Sequence, residues 1–110
     1  MGSFDRALLA AISGGNRQVV AAGQTDATIG HAGGEIGDKI KGILIKPATT
    51  SPGAVAIKDG GGTGDTVFAG GATSVADLAP IWVPYPATSE AGAWKVTTGS
   101  NVSVTIFGEF

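Results

Sequence analysis

The stretch Val102-Ser103-Val104-Thr105-Ile106-Phe107 alternates apolar and polar side chains with a period of two. Successive side chains of a strand point to opposite faces, so Val102, Val104 and Ile106 share one face while Ser103 and Thr105 share the other. That is the pattern of a half-buried antiparallel strand. Trp94-Lys95-Val96-Thr97-Thr98 has the same character, and the Thr98-Gly99-Ser100-Asn101 turn between the two makes the pair read as a hairpin. Such a pair needs a sheet to join, because its removal would expose a neighbour's backbone and part of a core.

Composition extends this reading to the whole chain. With 110 residues, one domain with a real core is expected. The apolar fraction of 43% is built from Ala, Val and Ile, with only four Leu, and 19 Gly and 11 Thr accompany it. β-branched side chains suit a pleated surface and Gly supplies turns, so the expected class is all-β. Charged residues make up 15% and the net charge is −2, too weak and dispersed for a phosphate-binding face, so nucleic acid is not an expected partner. Low charge with a mean hydropathy of +0.25 points instead to apolar surface covered by another chain. The absence of Cys excludes disulfides, thiolate catalysis and Cys-based metal sites. No run approaches the roughly 20 apolar residues of a membrane helix, and the apolar run Ala7–Ile12 is too short, with Asp5 and Arg6 before it, for a signal peptide. No membrane association is expected.

Along the chain, residues 1–37 differ from residues 38–110. Ser3 is placed to cap a short helix through Ile12, with Phe4, Leu8 and Ile12 on one face and Gly14 as its stop; an extended arm lying on a neighbouring subunit is the alternative. Gln18–Ala22 and Ala27–Ile29 are short strand candidates. Lys39–Lys46 starts with alternation and becomes apolar on both faces, as in a strand through the centre of a sheet or under a loop, and Pro47 closes it. Ala54–Lys58 and Thr66–Ala69 flank the Gly-rich connection Asp59–Asp65 as a second hairpin, and Val75–Leu78 suits one helical turn. Ile81-Trp82-Val83-Pro84-Tyr85-Pro86 has strand-forming residues interrupted by Pro, which confines it to an edge strand or an extended segment. Short strands separated by turn signals predict a small antiparallel β-sandwich or jelly roll over residues 38–110, preceded by the arm or short helix.

The residues offer little chemistry. His31 is the single histidine and has no second His or Cys to complete a metal or nucleophile set, so it reads as a loop residue. Asp59 and Asp65 flank a turn, but the third and twelfth positions of an EF-hand loop starting at Asp59 would be Gly61 and Gly70, and no Gly-Lys-Ser/Thr makes a phosphate cradle. Trp82, Tyr85 and Trp94 suit either a sugar platform or, more simply, core and interface fillers. Asn101-Val102-Ser103 matches a glycosylation sequon inside the strand pattern and reads as incidental. No enzyme activity, cofactor or metal is expected.

The succession Gly53-Ala54-Val55-Ala56-Ile57-Lys58-Asp59-Gly60, Phe68, Leu78-Ala79-Pro80-Ile81, Gly92-Ala93-Trp94-Lys95-Val96-Thr97-Thr98 and Val102-Ser103-Val104-Thr105 resembles small virion proteins of tailed bacteriophages. It is most similar to the capsid decoration, or cement, proteins with a jelly-roll-like β domain, over residues 38–110. The resemblance implies a structural virion protein on the capsid surface, made in the host cytoplasm. It would act as a homo-oligomer, dimer or trimer, that binds the major capsid protein and strengthens contacts between its subunits. Apolar area and strand addition at sheet edges would supply the binding. Phe4, Leu8, Leu9 and Ile12 are expected as one contact and Ile81, Trp82 and Tyr85 as another. The alternative is a tail or fibre-associated β module that binds a host glycan.

Overall fold

A computed structural model describes residues 16–30, 34–49, 51–71 and 79–110. Its strands are β1 (Asn16–Val20), β2 (Ala27–Thr28), β3 (Lys39–Pro47), β4 (Val55–Asp59), β5 (Asp65–Phe68), β6 (Ile81–Thr88), β7 (Trp94–Thr98) and β8 (Val102–Glu109). They form two four-stranded sheets in the orders β1-β8-β3-β6 and β2-β7-β4-β5. Every ladder is antiparallel. β1 pairs with β8, β2 with β7, β3 with β6 and β4 with β5. The chain thus behaves as one long antiparallel hairpin wrapped so that successive pairs fall in opposite sheets, which is the jelly roll. The expected all-β sandwich is present in that form.

Within residues 1–37, set apart in the sequence as an arm or short helix plus extended segment, the strand candidates Gln18–Ala22 and Ala27–Ile29 correspond to β1 and β2, one strand in each sheet. The proposed helix or arm over residues 3–12, with Phe4, Leu8, Leu9 and Ile12, lies outside the described residues, as do His31 and the turn at Val75–Leu78.

The two sheets bury one core between them. Ile43, Ile45, Val102, Val104 and Ile106 enter it from one sheet and Val55, Ile57 and Val96 from the other, all at 0–1% exposure. Each fully buried Val or Ile contributes about 1.5–3 kcal/mol relative to an exposed one, so this cluster is the main favourable term. The apolar face expected for Val102, Val104 and Ile106 is therefore the core face, and β3 is a central strand as its pattern indicates.

The reading of residues 94–107 as a hairpin is corrected. β7 and β8 lie in different sheets and do not pair; residues 99–101 carry the chain across the sandwich. Alternation tells which face of a strand is buried but not which strand lies beside it. Val96 and Val104 are each fully buried because they approach the same core from opposite sides. The crossing is held by Gly53 N–H to Ser100 O (2.8 Å), Gly99 N–H to Ala54 O (2.8 Å) and Gly23 N–H to Gly99 O (2.9 Å). Asn101 completes it in the left-handed region at φ 60°, a conformation Asn tolerates better than most residues.

β6 is the edge strand that its prolines require. From the Ile40 row to the Ile43 row, β8 advances two residues (Gly108 to Ile106), β3 three, and β6 four (Ala87 to Val83). The sheet therefore fans out towards β6, with the added twist that bulges bring. Pro84 and Pro86 lie at this irregular edge, where a missing N–H costs least.

Candidate outer-face interaction site

The outward side chains of the β1-β8-β3-β6 sheet form two adjacent rows. Val19 pairs with Thr105, Thr105 with Leu44 and Leu44 with Trp82; in the next row Arg17 pairs with Phe107, Phe107 with Gly42 and Gly42 with Pro84. Val19 is 64% exposed and Trp82 47%, so two large apolar groups stand in solvent at opposite ends of one row. Trp82 is held in place: a Cβ at residue 42 would lie 2.3 Å from its indole, so the ring occupies the space that only Gly42 leaves free. Its other neighbour is Phe107, edge-on with ring centroids 5.7 Å apart and an interplanar angle of 62°, a favourable aromatic geometry. At the centre of the row Thr105 is 3% exposed, and its hydroxyl has no hydrogen-bond partner among the described residues. A buried orphan hydroxyl costs about 1–3 kcal/mol, so the middle of this face is not optimised for stability.

Of the three residues expected as an edge contact, Trp82 faces outward while Ile81 and Tyr85 turn inward and pack against the core. Odd and even positions of β6 face opposite ways, so these three do not share a surface. Tyr85 lies edge-on to Trp94, centroids 6.1 Å apart at 84°, and its hydroxyl donates to Asp65 Oδ2 at 2.8 Å. It thereby ties edge strand β6 to β5 of the other sheet. Burial, followed by the bond to Asp65, pushes the Tyr85 phenol up to about 12. A raised folded-state pKa contributes stability that is intact below the unfolded value near 10 and lost as pH climbs from 10 to 12. Tyr85→Phe is expected to remove this component of the alkaline loss while leaving the ring packing intact. Urea midpoints at pH 8, 10 and 11.5 check it: the difference between wild type and variant should shrink as pH rises.

Trp94 is a core residue, 4% exposed, whose Nε1–H donates to Asp38 O at 3.0 Å. Trp82, Tyr85 and Trp94 are thus not brought together as one aromatic platform. The carboxylates around the Gly-rich turn hold loops: Asp59 accepts the N–H groups of Glu90 (2.7 Å) and Ala91 (3.2 Å), and Asp65 accepts the Tyr85 hydroxyl. Among the described residues, no three His, Cys, Asp or Glu side chains are grouped for a metal ion.

The outer face of the β2-β7-β4-β5 sheet is polar by contrast. A groove of about 260 Å³ is lined there by Asp26, Lys58, Lys95 and Thr97 beside the Gly62 and Gly64 backbone. Lys58 Nζ lies 3.1 Å from Asp26 Oδ2, and the Thr97 hydroxyl donates to Asp26 Oδ1 at 3.3 Å. The Lys58 ammonium bonded to Asp26 holds that carboxyl below the usual carboxylate range.

The apolar outer rows include residues that sequence reasoning did not single out: Val19, Leu44 and Phe107. The alternation through Val102–Phe107 already places Phe107 on the side away from the core. Val19 and Leu44 join it only through the strand register. Comparison with protein-family models, curated proteins and solved structures finds no match to this chain.

Proposed function

We propose that this protein is a structural virion component that binds the outside of a tailed-phage head as a homo-oligomer and stabilises contacts between major capsid subunits. The observation that carries the reading is the outward row Val19-Thr105-Leu44-Trp82 on a rigid sheet, which leaves a tryptophan and a valine in water. Exposed apolar groups on an ordered sheet face suit association with another protein. Burial there is worth roughly 25 cal/mol per Å² of apolar area before the costs of association. A weak contact repeated over many identical copies adds up on a symmetric shell.

Side-chain contact through this face suits the chain better than strand addition along β6, because Pro84 and Pro86 remove two backbone donors from that edge. The test mixes purified protein with empty heads assembled from the major capsid protein encoded in the same genome. Saturable co-sedimentation at micromolar concentration is expected, with sedimentation velocity reporting a dimer or trimer in free solution. A monomer that stays in the supernatant would overturn the reading. The exposed Trp82 indole also suits stacking on a sugar ring; binding to host surface glycans without binding to heads would favour the alternative, a tail or fibre module.

A further inference from the structure

Charge is divided unevenly between the two halves of the sandwich. The strands of the β1-β8-β3-β6 sheet carry four of the described cations, Arg17, Lys39, Lys41 and Lys46, and a single acid, Glu109. The other sheet and the loops carry Lys58 and Lys95 against six acids, Asp26, Glu35, Asp38, Asp59, Asp65 and Glu90. Among the described residues the strands of the sheet with the apolar rows are thus net positive, four against one, while those of the other sheet balance, Lys58 and Lys95 against Asp59 and Asp65, and the remaining acids lie in loops. Arg17 on β1 sits beside Phe107 in the second row, and Lys46, two strands over on β3, pairs with Ser103 on the far side of the first. Both are exposed. Lys39 is offset by Glu109 at 3.9 Å, so Arg17 and Lys46 are the cations of this face without an ion pair among the described residues.

We infer that the outer face of the β1-β8-β3-β6 sheet is the docking side of the protein, and that its partner is a protein surface with acidic side chains around an apolar patch. This inference rests on the virion reading above and assigns the face and partner chemistry for it. Three physical points select this occupant. Two copies joined through this face would bring together surfaces of the same net charge, which disfavours it as the contact between copies. An acidic rim would instead meet Arg17 and Lys46 directly, steering the encounter, while Trp82 and Val19 supply the desolvated centre. An anionic membrane shares the charge preference, but membrane binding calls for apolar side chains that reach several ångströms into the headgroup region. Here Leu44 and Thr105, at the centre of the row, lie sunk between their neighbours in a sheet face, a shape suited to another protein.

The test compares binding to empty heads at 50 and 500 mM NaCl for wild type and three variants. Arg17→Gln with Lys46→Gln and Lys58→Gln with Lys95→Gln remove the same formal charge from opposite faces, the second pair including Lys58, which is bound to Asp26. The first pair is expected to weaken binding about tenfold at low salt and to flatten the salt dependence; the second is expected to stay within about twofold of wild type. Trp82→Ala is expected to weaken binding about thirtyfold at both salt concentrations, the loss typical of an aromatic anchor. Arg17 and Lys46 are solvent-exposed, so that pair keeps the test valid even where Trp82→Ala lowers stability. Equal losses from the two charge pairs, an unchanged Trp82→Ala, or preferential binding to phosphatidylserine vesicles would overturn the inference while leaving head binding itself standing. Failure of the wild type to bind heads would overturn the virion reading and this inference with it.

Discussion

Ile106→Ala is expected to lower the free energy of unfolding by about 3 kcal/mol, within the 2–5 kcal/mol range of buried Ile-to-Ala changes. Ile106 is fully buried on β8, whose neighbours are β1 and β3, and pairs with Gln18 on one side and Ile43 on the other. Ile43 is itself fully buried, so little around the site is free to collapse into the space left by three carbons. A domain of this size has roughly 5–15 kcal/mol of stability in total. At about 4 °C or more per kcal/mol the loss corresponds to a drop in Tm of some 10–15 °C. Ser103→Ala, three residues earlier on the same strand but on the outer face, is expected to change stability by less than about 0.5 kcal/mol. Urea titrations with unchanged slope measure both. Similar effects from the two substitutions would contradict the sidedness of β8 and with it the packing of one sheet on the other.

Gly99→Ala is expected to be nearly as damaging, for a different reason. A Cβ at residue 99 would stand 2.6 Å from Gly53 Cα, 2.8 Å from Gly53 C and 2.9 Å from Ala54 N. These are backbone atoms joined to the same crossing by the Gly53 N–H to Ser100 O and Gly99 N–H to Ala54 O bonds, so no flexible side chain can move out of the way. Overpacking against backbone costs about 1–3 kcal/mol, and the upper half of that range is expected here. Gly61→Ala is the matched control. Nothing lies within 4 Å of a Cβ at residue 61, and its φ is not in the left-handed region. The added methyl group reduces the freedom of the unfolded chain, so this variant is expected to be neutral or slightly more stable. Thermal melts of the two variants should therefore move in opposite directions or differ by several degrees. Equal Tm values would mean that residues 99–101 do not cross against Gly53.

Much of the fold is legible in local pattern because a sheet repeats every two residues and its buried face is written in β-branched side chains. Val102, Val104 and Ile106 declare the core face of β8, and Pro84 and Pro86 declare an edge. Ile43, Leu44 and Ile45 declare a central strand. Partnership is another matter. Nothing in Trp94–Thr98 states that its neighbours are β2 and β4 rather than the strand that follows it, because a turn of the same composition serves a hairpin and a crossing between sheets. The site divides in the same way. Trp82 is conspicuous as a residue, and its proximity to Ile81 and Tyr85 in sequence suggests one surface, which strand alternation forbids.

Class and buried faces follow from local pattern alone: this is an all-β chain whose alternation sets which side chains enter the core, independently of what lies beside each strand. Pairing order arises in the assembled sandwich, and with it the row that joins Val19 on β1 to Trp82 on β6 across Thr105 and Leu44. It likewise gathered Arg17 and Lys46 onto that face, in a sheet whose strands carry Glu109 as their one acid. The physical reason is that a strand's inward face is set by its own residues, whereas the surface it helps to build is set by register with strands more than sixty residues away along the chain, as Val19 and Thr105 are.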